Sequence, residues 1–200
     1  DGRRDIWGTV ADALASTGNY LRTSGWAAGA PWGFEVILPP DFDYAWSAPG
    51  RAQALSQWLA AGVRIPASPG NLHLGLPLQL VLPAGARGPA LLVTRNFRSI
   101  LRYNNAQAYA LAVGHLADRI AGGAPLLAAW PADEQPLTRA EREELQRLLA
   151  ARGLETGGVD GVMGDQTRAA IRSTQRALNL AEDGHPSLAL LQRLRTDAPP

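Results

Sequence analysis

The chain has 200 residues, 46% hydrophobic and 18% charged, with a net charge of +1; this suits a folded chain of one large or two small domains and argues against disorder. So small a net charge supplies no field to draw nucleic acid or anionic lipid, and the absence of cysteine removes disulfides, thiol catalysis and thiolate metal sites. No stretch approaches the ~20 apolar residues of a membrane span; the most apolar, 72–94, is broken by Pro77, Pro83, Gly85, Gly88 and Pro89. All 19 basic residues are arginine, which reads as genomic bias.

Residues 9–24 fit a helix with Val10, Leu14 and Tyr20-Leu21 near one face, and Gly25 can end it. A loop rich in Trp, Pro and Gly follows, then an extended run at 34–38 that Pro39-Pro40 stops. Residues 51–61 predict a second helix, with Ala54, Leu55, Trp58 and Leu59 at helical spacing. Alternation at Leu78, Leu80 and Leu82, a turn over 83–89 and a return at 90–94 predict a β-hairpin. Asn96 is placed to cap a short helix carrying Phe97, Ile100 and Leu101. A helix over about 106–121 has Tyr109, Ala112, Val113, Leu116 and Ile120 along one stripe and stops at Gly122-Gly123.

Residues 124–136, with Pro125, Pro131 and Pro136, read as a semi-rigid linker between a domain at 1–123 and a smaller one at 137–196. Thr138 and Glu141 form a Thr-x-x-Glu capping box at the start of a helix that Gly153 ends. Glu143 and Arg147 are spaced for an ion pair on its wet face.

Within this C-terminal segment a frame repeats. Thr138-Arg139-Ala140 recurs 29 residues later as Thr167-Arg168-Ala169, and Gln146-Arg147 as Gln175-Arg176. Each copy is followed by an Asp-Gly turn, at Asp160-Gly161 and Asp183-Gly184. Recurrence at a fixed period predicts a duplicated helix-plus-turn unit whose copies bury their apolar faces on each other.

Residues 137–195 resemble the peptidoglycan-binding domain type 1, a small three-helix cell-wall module. The resemblance rests on Leu145-Gln146, Leu149, Gly153, the run Val159-Asp160-Gly161-Val162-Met163-Gly164, Thr167, Ala170-Ile171, Gln175, Leu180 and Asp183-Gly184. Thr174 departs from it, standing where the family usually places an aromatic. Residues 1–123 are similar to the C-terminal part of the catalytic domain of lytic murein transglycosylase B and its relatives. That similarity is carried by Asp12 to Ser16, Asn19-Tyr20-Leu21, Gly25-Trp26, Pro31-Trp32-Gly33, Glu35-Val36, Asn96-Phe97, Arg102-Tyr103-Asn104 and Tyr109 to Val113. Together they imply a mainly α fold with a small β-hairpin element, a partial lysozyme-like transglycosylase domain, joined to a three-helix peptidoglycan-binding domain.

The family cleaves the bond between N-acetylmuramic acid and N-acetylglucosamine without water. One glutamate protonates the leaving oxygen and then serves as base while the muramoyl 6-hydroxyl closes a 1,6-anhydro ring. By the resemblance that glutamate stands upstream of the segment aligned with Asp1, so no catalytic residue is expected in this chain and the chain alone is expected to be inactive. Any secretion signal or outer-membrane lipid anchor is expected upstream too, with the protein in the periplasm. Tyr20, Tyr103 and Asn104 match positions that line the glycan cleft. A tyrosine offers a ring face and a hydroxyl to a pyranose, and an asparagine both donates to and accepts from an N-acetyl group.

Many relatives carry an EF-hand-like loop before the first helix. Asp1 would take its fifth position, Gly2 the sixth, Asp5 the ninth and Gly8 the twelfth, where calcium needs a carboxylate. The loop is incomplete, so no metal and no cofactor is expected. The expected partners are peptidoglycan glycan strands and, over apolar surface that a partial domain leaves open, a separate N-terminal chain completing the catalytic domain.

Other candidates read as structural. Glu35 suits an exposed strand edge, Asp41 and Asp43 suit turn chemistry, and His73, His115 and His185 lack metal-ligand spacing. Trp26, Trp32, Trp46 and Trp58 are candidate stacking platforms, with core packing the default for Trp58 at helical spacing. Two alternatives stay open: a non-catalytic peptidoglycan-binding scaffold, and catalysis within the chain by Glu35 or Asp43.

Overall fold

A computed structural model describes residues 5–48, 50–67, 69–70 and 72–197; Asp1 and Gly2, the expected fifth and sixth loop positions, lie outside them. Seven α-helices and four short strands occur among the described residues, a mainly α fold. By compactness the chain divides into unit 1, residues 1–37, 52–79 and 91–126, and unit 2, residues 38–51, 80–90 and 127–200.

Helix α1 spans Val10–Thr23. None of its residues is buried, and Val10 and Leu14, expected on a covered face, are 77% and 67% exposed. Ser24 and the left-handed Gly25 end the helix as expected. Strand β1 is Gly33–Val36. The second predicted helix starts late: β2, Gln53–Ala54, pairs antiparallel with Leu78 and Pro77, so α2 is confined to Leu55–Ala60. The Gln57 side chain accepts from Ala54 N at 3.0 Å, which holds that start. Leu55 and Trp58 are buried beneath it, while Leu59 is 41% exposed.

The predicted hairpin exists as β3, Pro77–Val81, and β4, Ala90–Val93, but it belongs to a four-stranded sheet in the order β1-β4-β3-β2. All four β4 residues are buried, as expected for an inner strand covered on both faces.

Helix α3, Arg95–Leu101, is capped by Thr94, whose hydroxyl accepts from Asn96 N at 3.0 Å. Asn96 is therefore not the cap. It is fully buried, donates to the carbonyls of Ala27 (3.0 Å) and Ala30 (2.8 Å) and accepts from Ala27 N (2.7 Å), pinning the loop after α1.

Helix α4, Gln107–Ile120, buries Ala110, Leu111 and Gly114 instead of the predicted stripe. Val113, Leu116 and Ile120 are 37%, 60% and 79% exposed. The reason is Trp32, nine-tenths or more buried, whose indole lies so close to Gly114 that a Cβ there would overlap the ring. Trp32 Nε1 donates to Asp118 Oδ2 at 2.7 Å on the same face of α4.

In unit 2, α5 (Arg139–Ala150), α6 (Asp165–Ala177) and α7 (Leu188–Thr196) bury one core of Leu137, Leu145, Leu149, Ile171, Leu190, Leu191 and Leu194. The capping box forms: Thr138 Oγ1 accepts from Glu141 N, and Glu141 Oε2 accepts from Thr138 N at 2.7 Å. Glu143 pairs with Arg139 at 2.9 Å, not with Arg147.

The repeat has a structural cause. Gln146, 1% exposed, accepts from Asp160 N and Gly161 N at 3.0 and 2.8 Å and donates to Asp160 Oδ1 at 3.0 Å. Gln175 likewise donates to Asp183 Oδ1 at 2.7 Å and accepts from Gly184 N at 2.9 Å. In both turns the aspartate accepts from the amide two residues on, at 2.8 Å, and the glycine has a φ of +73° or +71°. Each copy thus holds an Asp-Gly turn by one buried glutamine.

Candidate functional site

The sequence-predicted Tyr20 lies in the last turns of α1, and Tyr103 and Asn104 in the short turn between α3 and α4. The structure brings the two tyrosines together: their rings meet edge to face, centroids 5.8 Å apart at 83°. Tyr103 also stacks on Tyr109, in the first turn of α4, at 6.0 Å and 24°. Tyr103 is 69% exposed and Tyr20 38%, so the aromatic cluster is open to solvent. Asn104 is exposed beside it, its backbone amide donating to Ile100 O at 3.4 Å.

The plate is held from behind. Ser99 Oγ and Arg102 Nη1 both donate to Ser24 O at 3.0 Å, and Arg95 Nε donates to Gly25 O at 3.0 Å. Three side chains from α3 and the residue after it therefore grip the C-terminal end of α1. That grip sets Tyr20 against Tyr103 although the two are far apart in sequence. Spacing alone puts Tyr109 on a core stripe of α4. Its signal was position, in the first helical turn after a Tyr-Asn pair.

The other candidates fall elsewhere. Trp32 and Trp58 are buried core residues, Trp58 donating to Leu78 O at 3.2 Å, so neither is a stacking platform. Trp46 carries the Arg51 guanidinium over its ring at 5.4 Å. Asp43 accepts from Ala45 N at 2.9 Å and caps a 3-10 turn over Tyr44–Ser47. Asp5 Oδ1 accepts from Gly8 N at 2.7 Å and Trp7 N at 3.3 Å, so this carboxylate closes its own turn. No cluster of three His, Asp or Glu side chains suited to a metal occurs among the described residues. No helix among them is long and apolar enough to cross a membrane.

Comparisons with known proteins identify the two segments of the chain. Residues 1–118 match the family model of the transglycosylase SLT domain, and residues 138–194 that of a peptidoglycan binding domain. The solved structure of SltB3 from Pseudomonas aeruginosa in complex with NAG-anhNAM-pentapeptide is 54% identical, with a TM-score of 0.92 over 98% of this chain and 53% of that one. The same enzyme in complex with NAG-NAM-pentapeptide gives 54% identity and a TM-score of 0.91 over the same shares. A stretch of 55 residues is 46% identical to the OxPP cycle protein OpcA of Synechococcus elongatus, covering 28% of this chain and 12% of that protein. The chain thus spans about half the length of the SltB3 protein it resembles. With a lytic transglycosylase fold over its first part and a peptidoglycan-binding domain over its last, the chain belongs to the transglycosylase SLT domain family.

Proposed function

We propose that the chain is the glycan-gripping rear of a lytic murein transglycosylase, residues 1–123, joined by residues 124–136 to a wall-binding module at 137–196. Tyr20, Tyr103 and Asn104 line the glycan cleft, with Tyr109 supporting Tyr103. The single observation that carries this reading is the likeness over 98% of the chain to a transglycosylase solved with a disaccharide pentapeptide. The exposed tyrosine plate is what such a cleft needs: apolar ring faces for pyranoses, with hydroxyls at their edges.

The reaction is cleavage between N-acetylmuramic acid and N-acetylglucosamine, with the leaving oxygen protonated and the muramoyl 6-hydroxyl attacking the anomeric carbon to give a 1,6-anhydro ring. The carboxyl that gives and takes those protons is not among residues 1–200. Glu35 sits on a strand and Asp43 caps a turn. An N-terminal polypeptide supplies the acid and covers the apolar faces of α1 and α4, where Val10, Leu14, Leu116 and Ile120 are exposed. This chain forms no stable calcium site, since Gly8 stands where the loop needs a carboxylate and Asp5 is engaged in its own turn. The site of action is the periplasm, on glycan strands. The module raises the local concentration of substrate by tethering.

The test uses purified murein sacculi. The 200-residue chain is expected to sediment with them and to release no anhydro-muropeptides by mass spectrometry, and removal of residues 137–196 to abolish most of the retention. Release of anhydro products that depends on Glu35 or Asp43 would overturn the assignment of the acid. Unchanged retention after the deletion would overturn the anchoring role.

A further inference from the structure

Unit 2 contains a cleft of about 380 Å³ apart from the tyrosine plate. Its walls come from the turn at Pro83 and Ala84, from the stretch 130–137, and from Arg142, Met163, His185 and Pro186 of the module. The first two lie outside residues 138–194, so much of the lining comes from outside the segment that the peptidoglycan-binding family model matches. Its volume is in the range of ~300–1,000 Å³ typical of small-ligand pockets.

The lining chemistry selects an occupant. Trp130 is 52% exposed, and proline rings with Met163 supply the remaining apolar wall. Among the polar residues of the lining is Glu134, whose side chain is 13% exposed; its Oε1 lies 3.1 Å from Nε2 of His185, which also lines the cleft, and its Oε2 3.8 Å from Arg87. A carboxylate has about four acceptor positions, so these contacts leave acceptor capacity toward a ligand. Arg142, the cation in the lining, donates to Gly161 O at 2.7 Å and Leu137 O at 3.0 Å and is committed to the backbone. A suitable ligand therefore has a flat apolar face for the indole, hydroxyl or amide donors for Glu134, and no carboxylate that Glu134 would repel. An N-acetylated amino sugar has all three properties, whereas the carboxylates of a peptide stem do not.

We propose that this cleft binds an N-acetylhexosamine residue of a glycan strand, stacked on Trp130 with its hydroxyls donated to Glu134. The proposal rests on reading residues 137–196 as a wall-binding module and gives that module a saccharide subsite built partly from the chain before it.

The test is calorimetric titration of chitotriose, which carries neither muramic acid nor peptide, into the full chain. Tyr103→Ala is present throughout to remove the tyrosine plate. Saturable binding is expected, weakened about tenfold or more by adding Trp130→Ala and severalfold by Glu134→Gln, but little changed by Trp130→Phe. Equal affinity in the Tyr103→Ala and Tyr103→Ala/Trp130→Ala proteins, or no binding by Tyr103→Ala alone, overturns the proposal. Should Trp130→Ala disturb folding, as judged by its unfolding midpoint, Glu134→Gln decides: undiminished affinity there overturns it equally. Sacculus sedimentation in parallel separates the two claims. Retention without chitotriose binding rejects the cleft and leaves the module standing; failure of the unmodified chain to sediment rejects the module and the cleft with it.

Discussion

Gln146 shows how much one polar side chain can organise. Its amide makes hydrogen bonds to both sides of the Asp160-Gly161 turn, and Gln175 does the same at Asp183-Gly184. The recurrence of Gln-Arg and Asp-Gly was legible in the sequence. What was not legible is that the glutamines are buried, because hydrophobic patterning assigns a Gln to the wet face of a helix. The spacing also concealed it, since Gln146 stands 14 residues before its aspartate and Gln175 only 8. Asn96 belongs to the same class: read as a cap, it is a buried clamp on the Ala27 and Ala30 backbone. Truncation at such a position strands buried donors, each worth about 1–3 kcal/mol. Gln146→Ala is accordingly expected to destabilise the module by about 2–4 kcal/mol, and Arg147→Ala by no more than ~0.5 kcal/mol. Urea unfolding followed by circular dichroism measures both, and equal effects would contradict the clamp.

Among the elements, α4 shows most plainly how periodicity and packing can diverge. The helix itself and its end at Gly122 are plain in the sequence, but two stripes compete along it. Large apolar residues mark Tyr109, Val113, Leu116 and Ile120, while small ones mark Ala110 and Gly114. Periodicity favours the larger residues, yet the closely packed partner is an indole, and only small residues admit it. No spacing rule in a single sequence reveals that Trp32 is the partner. The tyrosine plate was half legible for the same reason: Tyr20 and Tyr103 came from family resemblance, whereas Tyr109 was absorbed into the wrong stripe. Gly114→Ala separates packing from propensity. Alanine favours a helix by up to about 1 kcal/mol over glycine, so propensity alone predicts a more stable protein. Overlap with Trp32 predicts the opposite, a loss of about 1–3 kcal/mol. A fall in the thermal midpoint, with Trp32 fluorescence altered in the native state, is the expected result; a rise would show that α4 does not approach the indole.

At the scale of the whole molecule, the small net charge conceals an uneven distribution of engaged carboxylates. Hydrogen bonding from Arg87 holds Asp133 below the usual carboxylate range; Arg195 does so for Glu144, Arg176 for Glu182, Thr138 for Glu141 and Gln146 for Asp160. All five belong to unit 2. A carboxyl whose pKa is lower folded than unfolded contributes its full stabilisation above the unfolded value, about 4, and loses it as the pH falls through the folded value. Asp133 and Asp160 are exposed and the three glutamates half-buried at the surface, and single surface pairs are weak, so the effect is collective. The thermal midpoint of unit 2 is expected to be nearly level from pH 7 to about 5 and to drop progressively below about 4. Asp160→Asn provides the internal control. The asparagine oxygen can still accept from Val162 N and from Gln146, so the midpoint at pH 7 should be little changed. The acid drop should become shallower, because one proton-linked group has been removed. Calorimetric scans from pH 7 to 2.5 check both. A midpoint that rises on acidification would mean that these carboxylates bind protons more tightly folded than unfolded, contrary to the hydrogen bonds that surround them.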